Sequence, residues 1–307
     1  MIVCCGEALI DMLPRESKEG ELAFAPYAGG ALFNSAIALG RLGAPVEFFC
    51  GLSSDLFGQQ LRDVLGASNA GHRYAPISAR PTTLAFVRLA GGHATYTFYD
   101  ENTAGRMLSE ADLPKLDDDI DAMLFGAISL IPEPCGSAFE ALMKREHGKR
   151  VMMLDPNIRP GFIPDKAGHL ARMLRMIAMA DIVKLSDDDL AWFGETGSQD
   201  DIAAKWLGLG PKLVIITGGS KGATGYTRQH KVSVASERVT VVDTVGAGDT
   251  FNAGVLASLH DQQLLSKGAI GTLSEAAVHA ALTLGAKAAA VTVSRAGANP
   301  PWRHEIA

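Results

Sequence analysis

The chain has 307 residues, 47% hydrophobic and 20% charged, with a formal charge of -6 and a pI near 5.8. That length is enough for one large apolar core, and an acidic balance without a run of five basic residues excludes a nucleic-acid surface. Residues 1–5 have no basic stretch before them, and the apolar run at 281–293 is broken by Lys287 and is shorter than a bilayer crossing, so a cytoplasmic protein without membrane contact is expected.

Residues 1–10 read as a buried first strand closing in Glu7 and Asp11. Cys4, Cys5, Cys50 and Cys135 fit no metal-ligand spacing, so neither a structural metal nor a disulfide is expected. Asp11 is either a ligand-gripping carboxylate at the C-terminal end of a parallel strand or a turn residue. Residues 14–28 are polar and then mixed, without helical period, and read as an excursion from the main sheet. Gly29 and Gly30 allow a close backbone approach, or simply a turn, before a helix striped by Phe33, Ile37, Ala38 and Leu42 and ended by Gly43.

A second strand is expected at 46–50 and a helix from about Gln59. The β-rich runs 82–89 and 94–99, joined by a Gly-containing turn at 90–93, predict a hairpin. With the earlier excursion it forms a small separate sheet, a lid over about 12–28 and 76–105; the other reading is a hairpin on the main sheet. Tyr99, Asn102 and Arg106 close this region as substrate contacts or solvated loop residues.

From residue 121 strands and helices alternate at 122–130, 139–146, 151–154 and 170–179. This predicts βαβ units and an α/β fold with a doubly wound, mostly parallel sheet, in a single domain over 1–307. Asn157 and Arg159 follow the strand at 151–154 and project at the ligand-bearing edge, where arginine suits a planar grip on phosphate. The strand at 213–217 ends in a turn where Thr217, Gly219 and Gly222 match Thr-x-Gly-x-x-Gly; neither a Walker A motif nor a complete GxGxxG is present.

The most informative stretch is VVDTVGAGDTFNAGVLASL, residues 241–259. The β-branched run 239–242 predicts a strand, the Gly-Ala-Gly a turn, and Phe251, Val255 and Leu259 a helix. Amides of Gly246, Ala247 and Gly248 at that helix N-terminus would make an anion hole. Asp249 is then either the helix N-cap or a carboxylate that orients and deprotonates an attacking hydroxyl. The Ala-rich helix at 274–290 either lets a flat base lie against it or packs closely on a neighbour.

DTVGAGDTFNAG resembles the C-terminal signature of the PfkB, or ribokinase-like, carbohydrate kinase family, at Asp243, Thr244, Gly246, Ala247, Gly248 and Asp249. AGGALFNSAIALGRLG, residues 28–43, is similar to the N-terminal signature, with Ala31 where an asparagine is common. FYDENTAGRML, DPNIRP and SRAGANP resemble stretches of the family's bacterial fructokinases. The resemblance implies that Asp249 is the catalytic base, with the Gly246, Ala247 and Gly248 backbone as anion hole. It places Asp11, Gly29, Gly30, Asn34 and Asn157 on the sugar and Arg159 on the transferring group. Lys184, Ser186, Thr217, Gly219 and Gly222 fall on ATP.

Ser186 and Asp189 stand where the family has Asn-x-x-Glu, which implies Mg²⁺ organised through water, with the carboxylate one methylene shorter. K⁺ is implied between the 294–300 loop and the backbone near Asp243 and Val245, and a homodimer through the lid. The expected activity is phosphorylation of fructose by ATP to fructose 6-phosphate. The alternatives are a kinase for 2-keto-3-deoxygluconate, ribose or a nucleoside, and a non-catalytic sugar-binding protein on the same fold.

Overall fold

The computed structural model describes residues 1–90 and 93–306. Its strands are β1 (Ile2–Cys5), β2 (Leu9–Glu16), β3 (Leu22–Gly29), β4 (Val46–Phe49), β5 (Leu52–Ser53), β6 (Ala70–Gly71), β7 (Ile77–Ser78), β8 (Leu84–Ala90), β9 (His93–Tyr99), β10 (Ala122–Gly126), β11 (Val151–Asp155), β12 (Ile182–Ser186), β13 (Leu213–Thr217), β14 (Ala223–Tyr226) and β15 (Lys231–Val234). The helices are α1 (Ala31–Arg41), α2 (Leu56–Ala67), α3 (Cys135–Glu146), α4 (Lys166–Met179), α5 (Asp187–Phe193), α6 (Gln199–Leu209), α7 (Ala247–Asp261) and α8 (Glu275–Val293).

Runs such as IVCC, AMLFG and VMMLD have no polar face, so their strands need cover on both sides. Every residue of β1, β10 and β11 is buried, in a nine-stranded sheet ordered β15-β14-β13-β12-β11-β10-β1-β4-β6. Neighbours from β6 to β13 pair in parallel, and β14 and β15 close one edge antiparallel. From β1 the chain crosses to β4 on one side and later returns to β10 on the other. This reversal opens a crevice beyond the C-terminal ends of β1 and β10, where open α/β sheets bind ligands.

The chain leaves the main sheet after Cys5, and β2 begins a second sheet ordered β3-β2-β8-β9. The hairpin therefore belongs to a sheet of its own, not to the main one. Of its turn, Gly91 and Gly92 lie outside the described residues. Residues 1–10 are not one strand: Gly6, whose backbone is packed under Leu32, breaks them, and Asp11 lies inside β2 rather than at the end of a main-sheet strand. Apolar character continues across that break, so hydrophobicity alone cannot reveal the change of sheet.

Register gives the small sheet two faces. Asp11 pairs with Tyr27 and Ala85, Ala85 with Phe98, and Val87 with Tyr96, so these share one face. Ala85 and Val87 are buried on it. The opposite face presents Leu22, Phe24, Phe86 and Tyr99, with Phe86 packed edge-on against both Phe24 and Tyr99.

Residues 239–242 form no strand. Val241 and Val242 are each 60% exposed, and the Val242 amide bonds the Val293 carbonyl at the end of α8. β-Branched residues favour extended backbone only where a neighbouring strand takes up the pairing. α8 spans 19 residues, long and apolar enough by length and composition to cross a bilayer, and longer than the sequence indicates. Val278 and Leu282 pack instead onto Gly225 of β14, and a Cβ on Gly254 of α7 would come 2.6 Å from the Gly285 Cα of α8. The small residues of α8 thus serve close helix packing.

Candidate active site

Two helix N-termini, of α1 and α7, meet above the crevice. Gly30 is the N-cap of α1 at φ 113°, and a Cβ there would stand 2.5 Å from the Glu7 carbonyl oxygen. The Asp11 carboxylate lies across Gly29, which a side chain at that position would displace. One turn into α1, Asn34 is 6% exposed and donates from Nδ2 to Asp249 Oδ2 at 2.9 Å. Ser35 Oγ donates to the Asp249 carbonyl at 3.1 Å, so α1 grips the first turn of α7 by side chain and by backbone.

Gly246, at φ 77°, is the N-cap of α7. The N-cap reading of Asp249 therefore fails, and its side chain turns to Asn34. The Ala247 amide closes onto the Thr244 carbonyl at 3.3 Å, while the amides of Gly248 and Asp249 follow at positions with no carbonyl of the helix to pair with. Those amides and the helix dipole suit an anion.

Asp249 is buried, and its carboxyl is pushed up to about 7. Loss of hydration is the main cause, reinforced by the Asp155 and Glu7 carboxylates and opposed by the Asn34 amide and the Lys184 ammonium. A base that must be ionised fails once protonated, so kcat/KM is expected to be flat above about pH 7 and to fall close to tenfold per unit below it. Rates at fixed saturating nucleotide from pH 5 to 9 test this. An activity level down to pH 5 would contradict it.

Glu7 was not singled out as a site residue, yet its carboxyl also reaches about 7 through burial. It accepts from the amides of Ala31 at 2.8 Å and Ser129 at 3.3 Å, fixing the start of α1 against the turn after β10. It lines a cavity of about 340 Å³ with Leu9, Phe98, Asp100 and Arg106. Asp11, on the lid face toward this region, is raised to about 6 by burial.

On the lid, Arg106 lines the cavity and pairs with Asp100 at 2.9 Å. Tyr99 does not reach it: it lies on the opposite face from Asp11, 60% exposed against Phe86. From β9 the aromatic residues on the Asp11 face are Tyr96 and Phe98, and the Tyr96 hydroxyl feels the charges of Asp11, Arg159 and Asp243. Alternation along β9 could have shown this had the register been known. Asn102 occupies an exposed turn at φ 58°, outside the cavity lining.

Arg159 is exposed after β11, and Asn157, at φ 43°, closes a turn by donating its amide to Asp155 Oδ1 at 3.1 Å. Ser186 and Thr217 stand side by side at the ends of β12 and β13. Gly219 and Gly222 shape the turn into β14, where the Gly218 amide bonds the Gly222 carbonyl at 2.9 Å. Lys184 is 5% exposed and pairs with Asp155 at 3.2 Å, so it approaches the site from beneath rather than through solvent.

Asp189 is held by hydrogen bonds at the start of α5. It is 2% exposed, and its carboxylate accepts from the Ile158 amide and from the Ser186 amide and hydroxyl, each at 2.7 Å. With Ser186 it closes a capping box at the start of α5. Asp243 accepts from the amides of Val245 and Gly297, both at 3.0 Å, and so ties its own loop to the 294–300 loop.

Comparison with known proteins agrees with this geometry. The chain is 61% identical over 278 residues to a fructokinase of Rhizobium leguminosarum bv. trifolii, covering 91% of this chain and 85% of that one. It is 36% identical over 272 residues to fructokinase-2 of Oryza sativa subsp. japonica, covering 84% and 80%. The crystal structure of a Xylella fastidiosa fructokinase with bound ATP superposes with a TM-score of 0.88 at 29% identity, covering 97% and 93%. Residues 1–305 match the pfkB family of carbohydrate kinases, and the chain belongs to that family.

Proposed function

We propose that this protein transfers the γ-phosphoryl group of ATP to a hydroxymethyl oxygen of fructose, giving fructose 6-phosphate and ADP. One observation carries the choice of acceptor: 61% identity to a fructokinase across 91% of the chain. The buried Asp249 beside the open amides of α7 supports the chemistry. Asp11, the Gly29-Gly30 turn and Asn34 hold the sugar under the lid. Asp249 orients the hydroxyl and takes its proton late, as charge moves to the leaving group. The free amides of Gly248 and Asp249 at the start of α7, with Arg159, offset charge on the transferring oxygens.

Mg²⁺ would come with the nucleotide, with Asp189 acting on it through water, since its oxygens accept from the Ile158 and Ser186 amides. For K⁺ the arrangement fits better: Asp243 holds together the two loops whose carbonyl oxygens would bind the ion, next to the start of α7. Four free, buried cysteines support a reducing, cytoplasmic setting.

The test is ADP release across fructose, ribose, 2-keto-3-deoxygluconate, tagatose and adenosine, in K⁺ and in Na⁺. Fructose is expected to lead by about 100-fold in kcat/KM. Faster turnover of another acceptor would replace fructose and leave the phosphotransferase standing; equal rates in K⁺ and Na⁺ would remove the potassium site.

The lid's outer face supports a homodimer, since Leu22 is 77%, Tyr99 60% and Phe24 39% exposed on one apolar surface. Phe24→Glu is expected to shift the protein from dimer to monomer in sedimentation at micromolar concentration. A monomeric wild type would contradict the assignment.

A further inference from the structure

The residues of the site come from separate elements, and one buried carboxylate joins them. Asp155 ends β11 and is 3% exposed. Its Oδ1 accepts from the Asn157 amide at 3.1 Å, and its Oδ2 from Lys184 Nζ of β12 at 3.2 Å and Asn252 Nδ2 of α7 at 2.7 Å. Asn252 stands one turn beyond Asp249 on α7. Lys184 Nζ comes within 3.3 Å of where a Cβ on Gly248 would sit, directly beneath the amides offered to the phosphoryl group. The loop that Asp155 begins carries Arg159.

Packing alone does not call for this arrangement, because well-packed apolar residues hold a sheet edge as well as a buried ion pair and need no desolvation. What the charges add is a fixed field and a fixed distance at the N-terminus of α7. We propose that Asp155, through Lys184 and Asn252, is a positioning residue for phosphoryl transfer: it locks the first turn of α7 to the Arg159 loop and keeps an ammonium beneath the phosphoryl site. The proposal rests on Asp249 being the base.

The groups that face Asp249 come from several elements. Asn34 and Ser35 approach from α1, Glu7 from the end of β1, Asp155 from β11 and Lys184 from β12. Asp189 of α5 acts in turn on the Asp155–Lys184 pair. Asp155 and Glu7 disfavour ionisation of Asp249, whereas Lys184 and Asn34 favour it. Removing Asp155 should therefore move the acidic limb of the rate profile down in pH, and removing Lys184 should move it up.

The experiment measures kcat and KM against pH in the full-length protein for Asp155→Asn, Lys184→Met, Asn252→Ala and Asp249→Asn. Asp155→Asn keeps the tether to α7, because the buried Asn252 Oδ1 has no partner and can turn to accept from the new amide. The Lys184→Met limb is expected to lie above the Asp155→Asn limb by roughly half a unit or more. Asn252→Ala is expected to lose about tenfold in kcat or more, with KM within about threefold.

Coincident limbs, or wild-type kcat in Asn252→Ala, would overturn the proposal, since a merely structural pair changes the amount of folded protein without separating the limbs. If Lys184→Met does not fold, the Asp155→Asn limb decides by lying below wild type or with it. An active Asp249→Asn would instead remove the base reading itself, a distinct result.

Discussion

Asp249→Asn is expected to give a folded protein whose kcat is lower by roughly 10³-fold or more, with KM for fructose changed by no more than about threefold. The substitution keeps the shape and one oxygen, so Asn34 Nδ2 still has an acceptor where Asp249 Oδ2 now stands. It removes only the capacity to take a proton. Stability should move the other way. The folded carboxyl titrates near 7 and the unfolded one near its ordinary value of about 3.9. The folded state then holds its proton more tightly, so this group lowers stability as pH rises from about 4 to about 7 and keeps it low above that. A neutral amide escapes the penalty, and the variant's Tm at pH 8 should equal or exceed that of wild type. Circular dichroism melts beside steady-state rates check both halves. More than a tenth of the wild-type kcat in the variant would take the base role from Asp249.

That opposition between stability and function was half legible in the sequence. Gly246, Gly248 and Asp249 are adjacent in the chain, and an anion hole made of backbone at a helix N-terminus needs little else to be recognised. The electrostatic setting of Asp249 depends on Glu7, Asn34, Asp155 and Lys184, which lie 65 to 242 residues away and converge only through the strand order. Single-residue reading placed Lys184 at the nucleotide and passed over Glu7 and Asp155, because nothing local distinguishes a carboxylate beneath an active site from one in a turn.

The lid shows a second kind of limit. Composition and alternation identified β8 and β9 as a hairpin and left open whether it joined the main sheet, which the strand order decides. The face each residue presents depends on register, and a shift of one position exchanges the faces. Tyr99 and Tyr96 are equivalent by composition, yet the pairings Ala85 with Phe98 and Val87 with Tyr96 turn Tyr96 toward Asp11 and Tyr99 away. The run at 239–242 failed for the opposite reason: local preference was strong, but among the described residues no strand pairs with it. Asp189 closes a capping box with Ser186 at the start of α5, a pairing that the local Ser-x-x-Asp spacing allows.

Gly30→Ala should have the largest effect of any single methyl group at the sugar side. At φ 113° and ψ 136° Gly30 occupies a region that only glycine enters readily, at a cost of about 1–3 kcal/mol for other residues. The added Cβ would also stand 2.5 Å from the Glu7 carbonyl oxygen and 3.1 Å from its carbon, neither of which belongs to a flexible side chain. The strain must be relieved by moving the start of α1, and with it Asn34, relative to Asp249. A shift near 1 Å at such a site costs about 100-fold in rate, so kcat/KM for fructose should fall by at least that much. Stability should fall by about 3 kcal/mol, the backbone strain and the clash together. Gly43→Ala supplies the control at the other end of the same helix. Its φ is 82°, but a Cβ there meets nothing within 4 Å. It should cost about 1 kcal/mol through backbone strain alone and leave kcat unchanged. Equal losses of kcat/KM in the two variants would mean that the helix as a whole, rather than the contact between Gly30 and Glu7, sets the acceptor geometry. A loss confined to Gly30→Ala would assign it to the turn where the chain leaves the lid sheet and enters α1.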